Sequence, residues 1–172
     1  MGLDYIDLYL IHWPNPSQGQ LVEVWQALVD AQKQGIVKHI GVSNFLPGHI
    51  DLLIRSTGVT PAVNQFELHP FFQQAGQRAY DQAHGIITEA WSPLGRANQM
   101  LRIAAKHSVS PVAAILCWHL QLGDVAIPKS MNHGLCGWPG ICGGRRSAGY
   151  RAQRAGRVPH DAGGGAGPGT EA

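Results

Sequence analysis

The chain has 172 residues, 13 Lys and Arg against 11 Asp and Glu, and 44% hydrophobic residues. That length suits one domain with a sizeable core, and no apolar run approaches the roughly 20 residues of a membrane span. Cys117, Cys136 and Cys142 match no disulfide framework or metal pattern and Met1–Asp4 does not open a secretory leader, so a cytoplasmic protein is expected.

The first element is Tyr5-Ile-Asp-Leu-Tyr-Leu-Ile-His12-Trp-Pro14, an apolar and aromatic run too short for a buried helix and stopped by its proline. Such a run suits a parallel strand in a sheet covered by helices. His12 falls at its carboxyl edge, where parallel sheets carry their chemistry. On that placement alone, a histidine bonded to a neighbouring carbonyl is an equal reading. Leu21, Trp25, Leu28 and Val29 then recur at helical spacing, and Gly35 is placed to end that helix. Ile36–Phe45 reads as a strand running into a polar tip, Ser43-Asn44. Pro47 opens a helix with Ile50, Leu53 and Ile54 on one face and Gly58 as its stop. Ala62–Glu67 is a third strand closed by Pro70, and a helix over Gln73–Ala83 stops at Gly85. Ile86–Trp91 is a fourth strand, ending in Ser92-Pro-Leu-Gly95. Helical pattern resumes near Leu101–Lys106, Ser110-Pro111 starts a helix to about Leu122, and Val125–Pro128 is a brief fifth strand.

Strands beginning near residues 5, 36, 62, 86 and 125, with helices between, describe repeated right-handed βα units and a parallel sheet. A doubly wound sheet and a (β/α)8 barrel both fit this rhythm. No G-x-G-x-x-G or P-loop follows the first strand, and polar residues gather at the ends of several strands, which favours the barrel. The predicted fold class is therefore α/β, a partial (β/α)8 TIM barrel of about five βα units. Composition breaks near Asn132: residues 133–172 hold 12 of the 22 glycines, five arginines and two acids. Residues 1–132 are predicted to form the barrel part and 133–172 a disordered Gly/Arg-rich tail. The five arginines suit phosphates, yet without an aromatic stacking series they do not argue for a nucleic-acid partner.

Leu8-Tyr-Leu-Ile-His-Trp-Pro14, Gly41-Val-Ser-Asn-Phe45, Asn64-Gln-Phe-Glu67, Trp91-Ser-Pro-Leu-Gly95 and Ile127-Pro-Lys-Ser130 stand in one order at the predicted strand ends. In that order they resemble aldo-keto reductases, and residues 2–132 look like strands four to eight of that family's barrel. The resemblance implies NADPH-dependent reduction of small aldehydes or ketones to alcohols. It makes His12 the catalytic histidine that hydrogen-bonds the substrate carbonyl, and Trp13 a wall of the substrate pocket. It gives Ser43, Asn44 and Gln65 the nicotinamide carboxamide, Trp91 the nicotinamide ring, and Ser92, Leu94 and Gly95 the pyrophosphate. Lys129 and Ser130 fall near the adenosine phosphates.

Read singly, Ser43 and Asn44 terminate a strand, Lys129 is a solvated charge and Trp118 is a core aromatic. His39, His49, His84 and His107 are read as structural, and His69 and His119 show no metal spacing with His12, so no metal site is expected. The family's aspartate, tyrosine and lysine belong to the first three strand units, and Tyr5 and Tyr9 do not stand at the tyrosine's place. Impaired turnover is therefore expected, and the chain as a non-catalytic nucleotide-binding or interaction protein, or an inactive gene fragment, is the competing reading. The tail carries no family-like segment or 2′-phosphate arginine; its composition is what a shifted reading frame in GC-rich coding sequence produces. Five strands cannot close a barrel, so open apolar edges and self-association are expected.

Overall fold

The computed structural model describes residues 4–95, 104–105 and 108–129, all within one compact unit, Met1–Ile141. Its strands are β1 (Ile6–Ile11), β2 (Val37–Ser43), β3 (Val63–Glu67), β4 (Ile87–Trp91) and β5 (Val125–Ala126). Between them run α1 (Leu21–Lys33), α2 (Pro47–Thr57), α3 (Ala75–Ala83) and α4 (Pro111–Leu122). The tail 133–172, Ser130 and most of the helix expected near Leu101–Lys106 lie outside the described residues.

Each strand pairs in parallel with the next, in the order β1-β2-β3-β4-β5. This order separates the two architectures that strand spacing leaves open. A doubly wound sheet reverses its order at a switch point and carries helices on both faces. Strictly sequential order with right-handed crossovers sends the helices to one face, as around a barrel. Among the described residues β1 and β5 are paired on one side only.

The helices begin and end for local reasons. Pro47 opens α2, and the Leu46 N–H donates to His49 Nδ1 at 3.3 Å, which satisfies one of the first-turn amides. Gly58 closes α2 at φ 72°, its N–H donating to the Ile54 carbonyl at 2.8 Å. Ser110 Oγ accepts from the Ala113 N–H at 3.1 Å and starts α4. The helix expected from Gln73 starts later, at Ala75. Gln74 takes φ 43° instead and donates its side-chain amide to the Glu67 carbonyl at 2.9 Å.

One face of the sheet carries the core. Ile40 and Val42 pack with Trp25 and Val29 of α1, Ile50 and Leu53 of α2, and Phe45, all at most 3% exposed. Burying each such side chain is worth about 1.5–3 kcal/mol, so this layer accounts for much of the stability. A second cluster joins Phe66, Leu68 and Ala90 to Trp118, which places Trp118 in the core as its helical spacing suggests. On the other face the strands come close together. A Cβ on Gly41 would sit 2.7 Å from both the Leu10 side chain and the Val63 carbonyl, so only glycine fits between them.

Candidate functional site

Register decides which strand residues share the face away from the core. Ser43 stands opposite Gln65, Gln65 opposite Glu89, and Glu67 opposite Trp91, so this face presents hydroxyl, amide, carboxyl and indole groups in adjacent rows. Val42, Asn64 and Thr88 form the neighbouring row and turn the other way. Gln65 Nε2 donates to Glu89 Oε1 across β3 and β4.

At the carboxyl edge Asn44 ties together the ends of β1, β2, β3 and β4. Its backbone N–H donates to the Gln65 carbonyl at 2.7 Å. Its side-chain amide donates to the His12 carbonyl at 3.0 Å and to Ser43 Oγ at 3.1 Å. Its Oδ1 accepts from Trp91 Nε1 at 2.8 Å. To do this Asn44 adopts φ 63°, a left-handed conformation that asparagine tolerates better than most side chains. The Trp91 indole is thereby held at the edge, half-buried, in a fixed orientation.

After β4 the chain turns through two left-handed residues, Ser92 at φ 47° and Gly95 at φ 47°. A Cβ on Gly95 would lie 2.6 Å from the His69 ring, so the loop rests directly on that imidazole. Ser92 and Gly95 are exposed and Leu94 half-buried. His119 of α4 is fully buried and its Nε2 donates to the Pro93 carbonyl at 3.1 Å. Burial pushes that imidazole below its ordinary pKa, against the opposing pull of the Pro93 carbonyl and Asp124.

His12 is exposed just beyond β1, its ring 6.1 Å from that of Trp13, which is 49% exposed. Thus His12, Ser43, Asn44, Gln65, Trp91 and Ser92 come together at one edge. Lys129 is exposed three residues beyond β5 and is not part of that hydrogen-bonded group; Ser130 lies outside the described residues. A cavity of about 190 Å³ opens beside Trp91, lined by Asn44, Phe45, Phe66, Glu67, Phe72 and Gln77 among others. Among the described residues no group of three or more His, Cys, Asp or Glu is arranged to hold a metal ion, and no helix is long and apolar enough to cross a membrane.

Several contributors escape motif reading. Glu89 shares a face with Gln65 and Trp91, and the two-residue alternation of Ile87, Glu89 and Trp91 is the signal that finds it. Behind the edge, the buried Asp81 carboxylate accepts from Gln77 Nε2 at 2.9 Å, Asn64 Nδ2 at 3.4 Å and Thr88 Oγ1 at 3.1 Å. Asn64 Nδ2 also donates to the Phe45 carbonyl at 3.2 Å. Burial raises the Asp81 pKa above the usual carboxylate range, and the three hydrogen bonds pull it back. No local pattern announces this network.

The sequence and fold are similar to those of known proteins. The profile of the Aldo/keto reductase family matches residues 1–98. The chain is 52% identical over 138 residues to 2,5-diketo-D-gluconic acid reductase B of Corynebacterium sp. (strain SHS752001), covering 77% of this chain and 50% of that protein. It is 46% identical over 139 residues to methylglyoxal reductase DkgA of Escherichia coli (strain K12), with the same coverage of 77% and 50%. Among solved structures, a mutant of Gox0644 in complex with NADPH superimposes with a TM-score of 0.71 at 51% identity, over 74% of this chain and 49% of that one. The chain spans about half the length of the curated relatives it matches. A family profile covering more than half of the chain, on a sequential parallel sheet, leaves one assignment: the chain belongs to the aldo/keto reductase family.

Proposed function

We propose that this chain presents a nicotinamide ring and a small carbonyl compound to each other in the NADPH-dependent reduction of aldehydes or ketones to alcohols. The observation that carries this reading is the Asn44 knot, which holds Trp91 at the edge next to the end of the His12 strand. The donor set suits the cofactor: a carboxamide-bearing ring needs both donors and acceptors at its rim and an aromatic face beneath it. Gln65 and Ser43 would hold the carboxamide, with the second lone pair of Asn44 Oδ1, and Trp91 would bear the ring. The exposed Ser92–Gly95 loop would follow the pyrophosphate, and Lys129 would meet the adenosine phosphates. The kinship to reductases of diketogluconate and methylglyoxal, and to a protein crystallised with NADPH, supports the same reading.

Bound there, NADPH would supply the hydride that reaches the carbonyl carbon. As the C=O electron pair moves onto oxygen, an N–H of His12 donates to that oxygen and stabilises the growing charge. Trp13 shields the approach. The oxygen must finally receive a proton, and neither Tyr5, which precedes β1, nor Tyr9, inside it, is placed at the edge to give one. We therefore expect turnover by this chain to be lowered by the roughly 10²–10⁴ that acid–base catalysis contributes. Residues 1–132 form the working part in this proposal, and the edges of β1 and β5, paired on one side only among the described residues, make self-association the expected behaviour in solution.

An NADPH titration followed by tryptophan fluorescence, paired with an aldehyde turnover assay, tests the reading. Saturable quenching with slow turnover that disappears in His12→Leu supports it. Turnover unchanged in His12→Leu defeats the role of His12, and absence of saturable quenching defeats the site. Saturable binding with no turnover at all favours a nucleotide-binding protein without catalysis.

A further inference from the structure

Two of the features at the loop after β4 concern histidines that no strand-end motif includes. Pro93 is buried and has no N–H, so its carbonyl is a buried acceptor that needs a donor. His119 of α4, whose side chain is fully buried, provides it at 3.1 Å. Because a carbonyl only accepts, Nε2 carries the hydrogen, which leaves Nδ1 of the neutral ring as a bare acceptor, without a partner among the described residues. The ring is thus kept in an apolar place against the cost of one unmatched nitrogen, in order to make a single hydrogen bond. At Gly95 the His69 ring lies 2.6 Å from where a Cβ would stand. The segment from Ser92 to Gly95 holds Ser92 at φ 47°, a left-handed conformation that a non-glycine residue keeps where surrounding contacts fix it. Trp118, edge-on to His119 at 4.8 Å, and the Arg78–Asp124 ion pair at 3.2 Å, whose Asp124 N–H donates to the His119 carbonyl at 3.1 Å, fix α4 behind the ring.

We propose that His119 is a positioning residue for cofactor binding: its Nε2–H to the Pro93 carbonyl holds the Ser92–Gly95 loop in the shape that receives the NADPH pyrophosphate. This rests on the reading of that loop given above. His119 touches neither cofactor nor substrate; it acts through the backbone of the loop. The structure gives this role to a residue 26 positions away from Pro93 in the chain.

Substitution by the two amide isosteres of histidine tests it. A glutamine side chain can place an N–H where Nε2 lies, whereas asparagine reaches only to Nδ1. NADPH affinity of the full chain is measured by tryptophan quenching well below each variant's thermal midpoint, so that every sample is folded. His119→Asn should bind about tenfold more weakly, the loss of one hydrogen bond to a buried carbonyl, while His119→Gln stays within about twofold. Ile115→Ala, a buried position one turn earlier in α4, is the control for plain loosening of the helix and should lower the midpoint without weakening NADPH. Equal affinities of His119→Asn and the unaltered chain overturn the proposal, as does equal weakening in Ile115→Ala. If His119→Asn does not fold, Gly95→Ala displaces the same loop from the His69 side with His119 intact, and unaltered affinity there overturns the proposal too. No saturable quenching in the unaltered chain overturns the reading of the site itself, a failure distinct from any difference among variants.

Discussion

The two faces of one sheet are built from alternate residues of the same strands, yet they obey different rules. Toward the helices, Ile40, Val42, Trp25, Ile50 and Leu53 are at most 1% exposed and interact by shape alone. Toward the other side and the carboxyl edge, Ser43, Asn44, Gln65, Glu89 and Trp91 are joined by directed hydrogen bonds. Packing is tolerant of identity but costly to remove, whereas a hydrogen-bonded edge holds a few side chains in one orientation at modest cost in stability. The proposed cofactor site needs the second kind of order, and the helices pack against the opposite face of the same strands.

The largest effect should come from the packed face. Leu53→Ala should lower unfolding free energy by about 2–5 kcal/mol in chemical denaturation, since a fully buried side chain is replaced by a cavity. NADPH affinity of the remaining folded protein should not change; if it does, the two faces are not separable. At the edge, Asn44→Ala combines left-handed backbone strain with three lost side-chain hydrogen bonds and should cost about 2–4 kcal/mol. Asn44→Gly removes the same bonds without the strain. It should fold more readily than Asn44→Ala and still lose tight NADPH binding, because Trp91 is no longer held; tight binding by Asn44→Gly would show that the knot does not order the site.

Asp81 is the polar exception on the helix side, where Asn64 links it to the Phe45 carbonyl beside Asn44. Its folded pKa lies above the ordinary 3.8, so its contribution to stability is fully present below pH 3.8 and is lost as pH rises through the raised value. Denaturation at a series of pH values should therefore show Asp81→Asn gaining on the unaltered chain as pH rises through that window. A constant difference between the two would mean that Asp81 titrates as it does in the unfolded chain. The smallest effect belongs to the exposed pair Lys38–Asp7, 3.1 Å apart, whose ammonium also lies over the Tyr5 ring. Lys38→Met should leave the denaturation midpoint unchanged within error, because solvent screens exposed ion pairs.

Much of this molecule is written locally. The alternation of apolar runs with helical stripes, Pro47 and Ser110 at helix starts, and Gly58 at a helix stop are short-range signals, and the described strands and helices β1–β5 and α1–α4 begin or end near the residues expected. His12, Ser43-Asn44, Trp91 and the Ser92–Gly95 turn are strand-end residues, so the strand rhythm assembles them at one edge of a parallel sheet. Short-range pattern therefore dictates the succession of βα units and the set of residues at their carboxyl ends.

Three things waited for contacts between distant segments. Strand spacing fits two architectures, and only the pairing order distinguishes them, because pairing is a contact between segments whose separation in sequence carries no direction. The knot joins Asn44 to His12 across 32 positions and to Trp91 across 47, and its bonds exist only in the observed register. Asp81 and His119 read as ordinary helix residues, an acid and a histidine in polar company or an apolar stripe. Their burial, shifted pKa values and partners come from what β3, β4 and the loop after β4 place against them. Periodicity reports which way a side chain points; which atom it meets there depends on register between segments far apart in the chain.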